Sequence, residues 1–154
     1  MFRKRIILIF AVLIIAALDQ ATKSLIVTNI PLNDSIEITS FFNIVNIQNV
    51  GAAFGSLKGL GNPIFIVLSI IVIIFLTILI FKEKQGMLLS LSYCLLIGGA
   101  VGNLIDRLTR GSVVDFLDFH VYGHHWASFN VADSALSVGM VLVILIQLKG
   151  LKQK

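Results

Sequence analysis

Apolar residues fall along the chain in four long runs, and their lengths predict four membrane-spanning helices. A helix rises about 1.5 Å per residue, so ~20 largely apolar residues cross the hydrocarbon core of a bilayer. Windows at 6–28, 63–82, 88–109 and 131–149 meet that condition. The second is the cleanest, since only Ser69 and Thr77 interrupt it between Ile64 and Phe81. Between the first two runs, Ile36-Glu37-Ile38-Thr39 and Val45-Asn46-Ile47-Gln48 alternate apolar and polar residues. That is the period of a half-exposed strand. Gly51-Ala52-Ala53-Phe54-Gly55 is rich in small residues and reads as a short interfacial helical turn, and Pro63 suits the first turn of the second span. The fold class predicted is an all-α membrane protein: four transmembrane helices with a small extracytoplasmic β-sheet and a short interfacial helix, one domain over 1–154.

Composition narrows the alternatives. The chain is 57% hydrophobic and 13% charged, with a mean hydropathy of +0.98. A soluble domain carries about a quarter charged residues, and disorder needs low hydrophobicity with high charge. Both are excluded. The net charge of +4 does not point to nucleic acid, because no basic stripe with interleaved aromatics exists. It follows instead the positive-inside bias of membrane proteins. Arg3, Lys4, Arg5, Lys82, Lys84, Lys149, Lys152 and Lys154 are eight of the twelve basic residues, and all fall on one side of a four-span topology. Both termini are therefore expected in the cytoplasm, with connections 29–62 and 110–130 outside. The start, Met1-Phe2-Arg3-Lys4-Arg5 before an apolar run, resembles a secretory signal, but three more apolar runs follow, so 6–28 is expected to be a retained span. The single cysteine, Cys94, lies inside an apolar stretch and permits neither an internal disulfide nor a thiolate metal site.

Several polar residues sit where lipid is expected. Asp19 lies 13 residues beyond Ile6, roughly 20 Å along a helix, in the outer half of the bilayer. A charge near a span's centre costs about 3 kcal/mol on insertion scales. Lys23 follows at i+4, so the two form either an ion pair that makes insertion tolerable or one wall of a polar cavity. In the third span, Gly98 and Gly102 have the small-xxx-small spacing that admits a close neighbour. Gly99, Asn103, Asp106, Arg107 and Arg110 form a polar stripe climbing to the outer surface, which must face the bundle interior. It offers either helix–helix glue or donors that orient a substrate.

Asp115 closely follows the outer end of the third span, and Asp133 sits near the outer end of the fourth, so both are expected at one depth. Two carboxylates within reach share a proton, and such a pair activates water for amide hydrolysis without a metal. The plainer readings are a helix-capping Asp133 and a solvated loop Asp115. Asp118 is a third acid nearby, flanked by Phe116 and Phe119 in sequence. His120, His124 and His125 lack ligand spacing and read as loop residues. No phosphate loop, nucleophile elbow or HExxH helix is present.

Five segments occur in order: Asp19-Gln20-Ala21-Thr22-Lys23, Asn49-Val50-Gly51-Ala52-Ala53-Phe54-Gly55, Gly98-Gly99-Ala100-Val101-Gly102-Asn103-Leu104-Ile105-Asp106-Arg107, Gly111-Ser112-Val113-Val114-Asp115-Phe116 and Phe129-Asn130-Val131-Ala132-Asp133. Together they resemble lipoprotein signal peptidase, also called signal peptidase II, over nearly the whole chain. The resemblance implies a bacterial inner-membrane aspartic protease, multi-pass and acting at the outer leaflet. Such an enzyme cleaves the signal peptide of a prolipoprotein just before a diacylglyceryl-modified cysteine. It implies that Asp115 and Asp133 are catalytic. It implies substrate-binding and structural positions at Asp19, Lys23, Asn49, Gly51, Asn103, Asp106, Arg107, Asn130 and Ala132. Diacylglyceryl prolipoproteins and membrane lipids are the expected partners of a monomeric enzyme with no nucleic acid, no metal and no cofactor. One departure is Trp126-Ala127-Ser128, which lacks a proline many members have before Phe129 and so touches only the loop. The rivals are a small proton-coupled transporter, which would use a carboxylate relay across the bilayer, and a non-catalytic assembly protein docking through Gly98 and Gly102.

Overall fold

The computed structural model describes residues 2–51, 61–82 and 86–151. Among them are four long helices, α1 (Phe2–Asn29), α2 (Gly61–Lys82), α3 (Met87–Thr109) and α4 (Val131–Leu151). Each is long and apolar enough to cross a membrane. The strands are β1 (Ser35–Thr39), β2 (Phe42–Asn49), β3 (Val113–Val121) and β4 (His124–His125), all antiparallel in the order β1-β2-β3-β4. The expected spans and the expected strands on either side of Thr39 and Val45 are present. The expected interfacial turn at 52–55 lies outside the described residues.

Helix α3 is the centre of the bundle and packs against α1, α2 and α4. In α3, 61% of the apolar window is buried inside the protein, against 6% in α2, which turns Ile71 and Phe75 outward as a lipid-facing helix does. The core is built where α2 and α3 meet, from Leu76, Tyr93, Leu96 and Ile97, with Val12 of α1 and Val143 of α4 closing over it. The small-residue spacing in α3 explains how α1 approaches. A Cβ added at Gly98 would stand 2.7 Å from the Ile15 side chain, and one at Gly102 would stand 2.5 Å from the Asp19 carboxylate. The glycines leave room for α1 and, at Gly102, for a buried charge.

The sheet joins the two inter-helix connections. Strand β2 comes from the connection after α1 and β3 from the one after α3, and their pairing holds both at one end of the bundle. The ladder breaks between Ile44 and Ile47, where Val45 and Asn46 oppose Phe116 alone. This β-bulge turns Asn46 toward α1. Its backbone pairs with Asn33 and Asp34, and its amide donates to the Ile30 carbonyl at 2.7 Å. Bulges re-aim side chains next to functional sites. Here the bulge shifts the register by one residue, so that Ile47 stands opposite Asp115 and Asn49 opposite Val113.

Strand β3 is the main difference from expectation. The connection 110–130 holds the nine residues of β3 and the two of β4, and His120 lies in β3 while His124 and His125 form β4, so the loop reading of the histidines is corrected. Asp118 is likewise a strand residue, 4% exposed, held by Asn43 at 3.1 Å and by His125 at 2.8 Å. The strand shows no clean alternation because both of its faces are covered over its first four residues. Such a run cannot be recognised by a period of two.

Because the Gly102 position is filled by a rigid, fully paired carboxylate, Gly102→Ala is expected to destabilise the protein by about 1–3 kcal/mol. A lowered thermal midpoint in detergent checks this, and an unchanged midpoint would contradict the close packing of α1 on α3.

Candidate active site

A buried ion cluster stands at the meeting of α1 and α3. Lys23, Asp19 and Asp106 are each 0% exposed. An ammonium has three donors, and the Lys23 Nζ finds three acceptors: Asp19 Oδ2 at 2.8 Å, Asp106 Oδ2 at 3.0 Å and Asn103 Oδ1 at 2.9 Å. Arg110, one helical turn beyond Asp106, pairs with its other oxygen. Two carboxylates are thus matched by two cations. Gln20 completes the cluster, donating to Asp106 Oδ1 at 3.1 Å and to the Gly102 carbonyl at 3.0 Å.

Each buried carboxylate also holds one backbone amide. Asp19 Oδ1 accepts the Ala132 N–H at 2.9 Å, and Asp106 Oδ2 accepts the Val114 N–H at 3.1 Å. Ala132 precedes Asp133, and Val114 precedes Asp115. The cluster therefore fixes the backbone one residue before each of the two expected catalytic acids. The alternative of a cavity wall for Asp19 and Lys23 is replaced by this interior role, since neither side chain reaches a surface.

Asn130 brings the two acids together. It is the N-cap of α4: its Oδ1 accepts the Asp133 N–H at 2.9 Å, and Asp133 Oδ2 accepts the Asn130 N–H at 3.3 Å. This reciprocal capping fixes the first turn of the helix. Its side-chain amide then donates to Asp115 Oδ1 at 2.8 Å. The segment before it is held on β3 by the Phe129 carbonyl, which accepts the N–H groups of Phe116 and Leu117 at 3.0 and 2.8 Å. The outer carboxylate oxygens are met by two further amides. Asn49 donates to Asp115 Oδ2 at 3.0 Å, and Asn103 donates to Asp133 Oδ1 at 2.8 Å.

Capping is thus a real role of Asp133, and Asp115 is a buried strand residue rather than a solvated loop residue. Unlike Asp19 and Asp106, this pair is met by neutral amides. Burial, with the nearby Asp133 charge adding to it, pushes the Asp115 carboxyl up to about 6, against the hydrogen bonds from Asn49 and Asn130.

The remaining expected residues surround this pair. Gly51 has φ +89°, a left-handed conformation natural to glycine, and its N–H donates to Asn49 Oδ1 at 2.8 Å. Arg107 donates to the Asn103 carbonyl at 3.3 Å and lies within electrostatic reach of Asp133 and Asp115. Ala132 is fully buried. The histidines are not brought to Asp115 or Asp133. They line a cleft with Phe119, Val121 and Trp126 at the far end of β3. Among the described residues, no three His, Cys, Asp or Glu side chains are arranged to hold a metal ion. Sequence reasoning assigned no role to Gln20, whose one signal was its place beside Asp19, or to Asn62, which donates to the Arg107 carbonyl at 2.9 Å.

Residues 11–149 match a family model described as signal peptidase (SPase) II. A lipoprotein signal peptidase of Thermodesulfovibrio yellowstonii is 42% identical over 139 residues, covering 90% of this chain and 92% of the relative. One from Francisella tularensis subsp. novicida is 45% identical over 141 residues, covering 88% and 87%. A solved bacterial membrane enzyme, determined by the in meso method at 2.3 Å resolution, superposes with a TM-score of 0.86 at 37% identity, covering 96% of this chain and 90% of that one. With likeness of this extent in both sequence and structure, the chain belongs to the signal peptidase II family of aspartic-type peptidases.

Proposed function

We propose that the protein is a membrane endopeptidase that removes the signal peptide from diacylglyceryl-modified prolipoproteins, cutting just before the lipidated cysteine. The observation that carries this is the meeting of Asp115 and Asp133 on the two sides of Asn130, each oxygen accepting an amide donor and, among the described residues, neither carboxylate paired with a cation at salt-bridge distance. The names of the relatives, lipoprotein signal peptidase, support the substrate class. The lysine and arginine bias supports cytoplasmic termini and, with them, a position of the sheet and both acids at the outer leaflet of the bacterial inner membrane. The signal helix would enter laterally among the spans while the diacylglyceryl chains remain in lipid. A monomer contains every residue this reading uses.

In the chemical step, the ionised member of the pair takes a proton from a water held between the two carboxyl groups. The water oxygen attacks the scissile carbonyl carbon, and the protonated member gives its proton to the carbonyl oxygen. Collapse of the tetrahedral intermediate breaks the C–N bond as one carboxyl gives its proton to the departing cysteine nitrogen and the other carboxylate takes a hydroxyl proton from the re-forming carbonyl, which returns the pair to a single proton. The products are a signal peptide with a free carboxylate and a lipidated cysteine with a free amine. The two acids titrate as a unit, so the roles of acid and base belong to the pair. Asn49, Asn103, Arg107 and Asn130 would hydrogen-bond substrate backbone or lipid carbonyls. Asp19, Lys23, Asp106, Ala132 and Gly51 would hold that arrangement in place. A transporter is disfavoured by the clustering of buried charge at one end, because a relay must cross the whole bilayer.

Asp115→Asn and Asp133→Asn are each expected to lower cleavage of a diacylglyceryl prolipoprotein in detergent by roughly 100-fold or more, with folding intact. Full activity in either variant would remove the pair from the mechanism. Cleavage should also persist in a strong chelator, and loss that added zinc restores would contradict a metal-free reaction.

A second prediction concerns pH. The working pair holds one proton. Burial lifts the Asp115 carboxyl to about 6, so the pair should give up its shared proton, and kcat/KM should fall, as pH rises through about 6. It should also fall in strong acid, as the second carboxylate is protonated. The Asn49 hydrogen bond favours the ionised form, so Asn49→Ala should raise the Asp115 pKa and move the descending limb to higher pH. A profile flat from acid to alkaline pH, or a limb moved to lower pH in Asn49→Ala, would contradict the shared proton.

A further inference from the structure

Phe65, in the second turn of α2, lies outside the five sequence segments that first suggested the family, yet its ring meets two groups from separate parts of the site. The first is Gly51. A Cβ placed on Gly51 would lie 2.2 to 2.9 Å from three carbons of the Phe65 ring, so the ring occupies the space a side chain would need. The second is Arg107, whose guanidinium carbon stands 5.3 Å from the ring centroid, within range of a cation–π contact. Both contacts lead to the carboxylate pair. Gly51 donates to Asn49, and Asn49 donates to Asp115. Arg107 lies within electrostatic reach of both acids. The first turn of α2, which precedes the ring, is tied to α3, because Asn62, three residues earlier, donates to the Arg107 carbonyl at 2.9 Å.

We propose that Phe65 is a positioning residue of the peptidase site: one aromatic ring that holds the Arg107 guanidinium and the Gly51–Asn49 turn in register with Asp115 and Asp133. The inference rests on the peptidase function proposed above. It assigns a task to α2, a helix otherwise turned mainly to lipid. A guanidinium is long and has many rotamers, and its interior bond to the Asn103 carbonyl is 3.3 Å long. A flat ring restricts it without competing for its donors, which stay available for a substrate carbonyl. The same ring presses on a glycine in a left-handed conformation and so limits the movement of the turn that carries Asn49.

If apolar bulk alone mattered, leucine or methionine would serve as well as phenylalanine. The test compares Phe65→Leu and Phe65→Met with Phe65→Tyr and Phe65→Trp, using the full chain in detergent micelles and a synthetic diacylglyceryl lipopeptide as substrate. Leucine and methionine keep apolar volume and lose the aromatic face. They are expected to lower kcat/KM about tenfold with thermal midpoints near that of the parent, whereas tyrosine, which keeps the ring, stays within about threefold. Tryptophan should keep more activity than leucine. Parental kinetics in both Phe65→Leu and Phe65→Met would overturn the proposal, as would losses in all four variants that simply follow their thermal midpoints. Failure of the peptidase reading looks different: the parent chain itself would not cleave the lipopeptide.

Discussion

The site depends on one buried ammonium. Without Lys23, the Asp19 and Asp106 carboxylates would face each other in the interior of a membrane bundle with, among the described residues, Arg110 alone to balance them. Breaking a buried ion pair by removing one partner typically costs about 3–5 kcal/mol, because the remaining charge stays desolvated. Lys23 escapes that penalty only because all three of its donors are used, two on carboxylates and one on the Asn103 amide. The lysine therefore fixes more than an ion pair. Through Asp19 it reaches the N-terminal turn of α4, through Asp106 the first residues of β3, and through Asn103 the Asp133 side chain itself.

This arrangement sorts the acids into two classes by partner. Asp19 and Asp106 are matched by Lys23 and Arg110, and their oxygens are spent on holding backbone amides. Asp115 and Asp133 are met by the neutral amides of Asn49, Asn103 and Asn130. A salt bridge to either would bias that carboxylate toward permanent ionisation and against sharing a proton. Amides orient a carboxylate with a much weaker preference for its charged form. The Lys23 charge still reaches the Asp115–Asp133 pair in attenuated form, since Asn103 accepts from the ammonium and donates to Asp133. A donor polarised in this way is strengthened in a low-dielectric interior.

Much of this was legible in the sequence, for reasons that differ from residue to residue. The spans were readable because lipid demands long apolar runs, and α2 was the clearest because almost none of it is buried in protein. Asp19, Lys23, Asn103 and Asp106 stood out because a polar residue in such a run requires a partner. Their partners were less visible. The i,i+4 spacing of Asp19 and Lys23 predicts their pairing, but nothing local predicts that Lys23 also reaches Asp106 on another helix. Strand β3 was hidden because its inner end is covered on both faces. Asp118 and His125 were hidden with it, as their contact depends on the β3–β4 pairing. Phe65 looked like one more apolar residue of a lipid-facing helix, and only the fold brings Gly51 and Arg107 to its ring.

The β2 bulge shows why the acids need a sheet as well as helices. Helix α4 can place Asp133 by its capping turn, but Asp115 comes from a connection, and a connection alone would leave it in solvent. Pairing with β2 supplies a rigid strand, and an unbroken ladder would carry the register of Ile44 and Leu117 straight through to Asp115. The extra residue shifts that register by one, and with a side-chain period of two a one-residue shift exchanges the faces. Asn49 is thereby placed on the face of β2 from which its amide reaches Asp115, while Asn46 turns the other way and fastens the end of α1. The helix that carries Asp19 and Lys23 is thus tied to the strand pair that carries Asn49 and Asp115. Displacement of either moves both the ion cluster and the proposed catalytic pair.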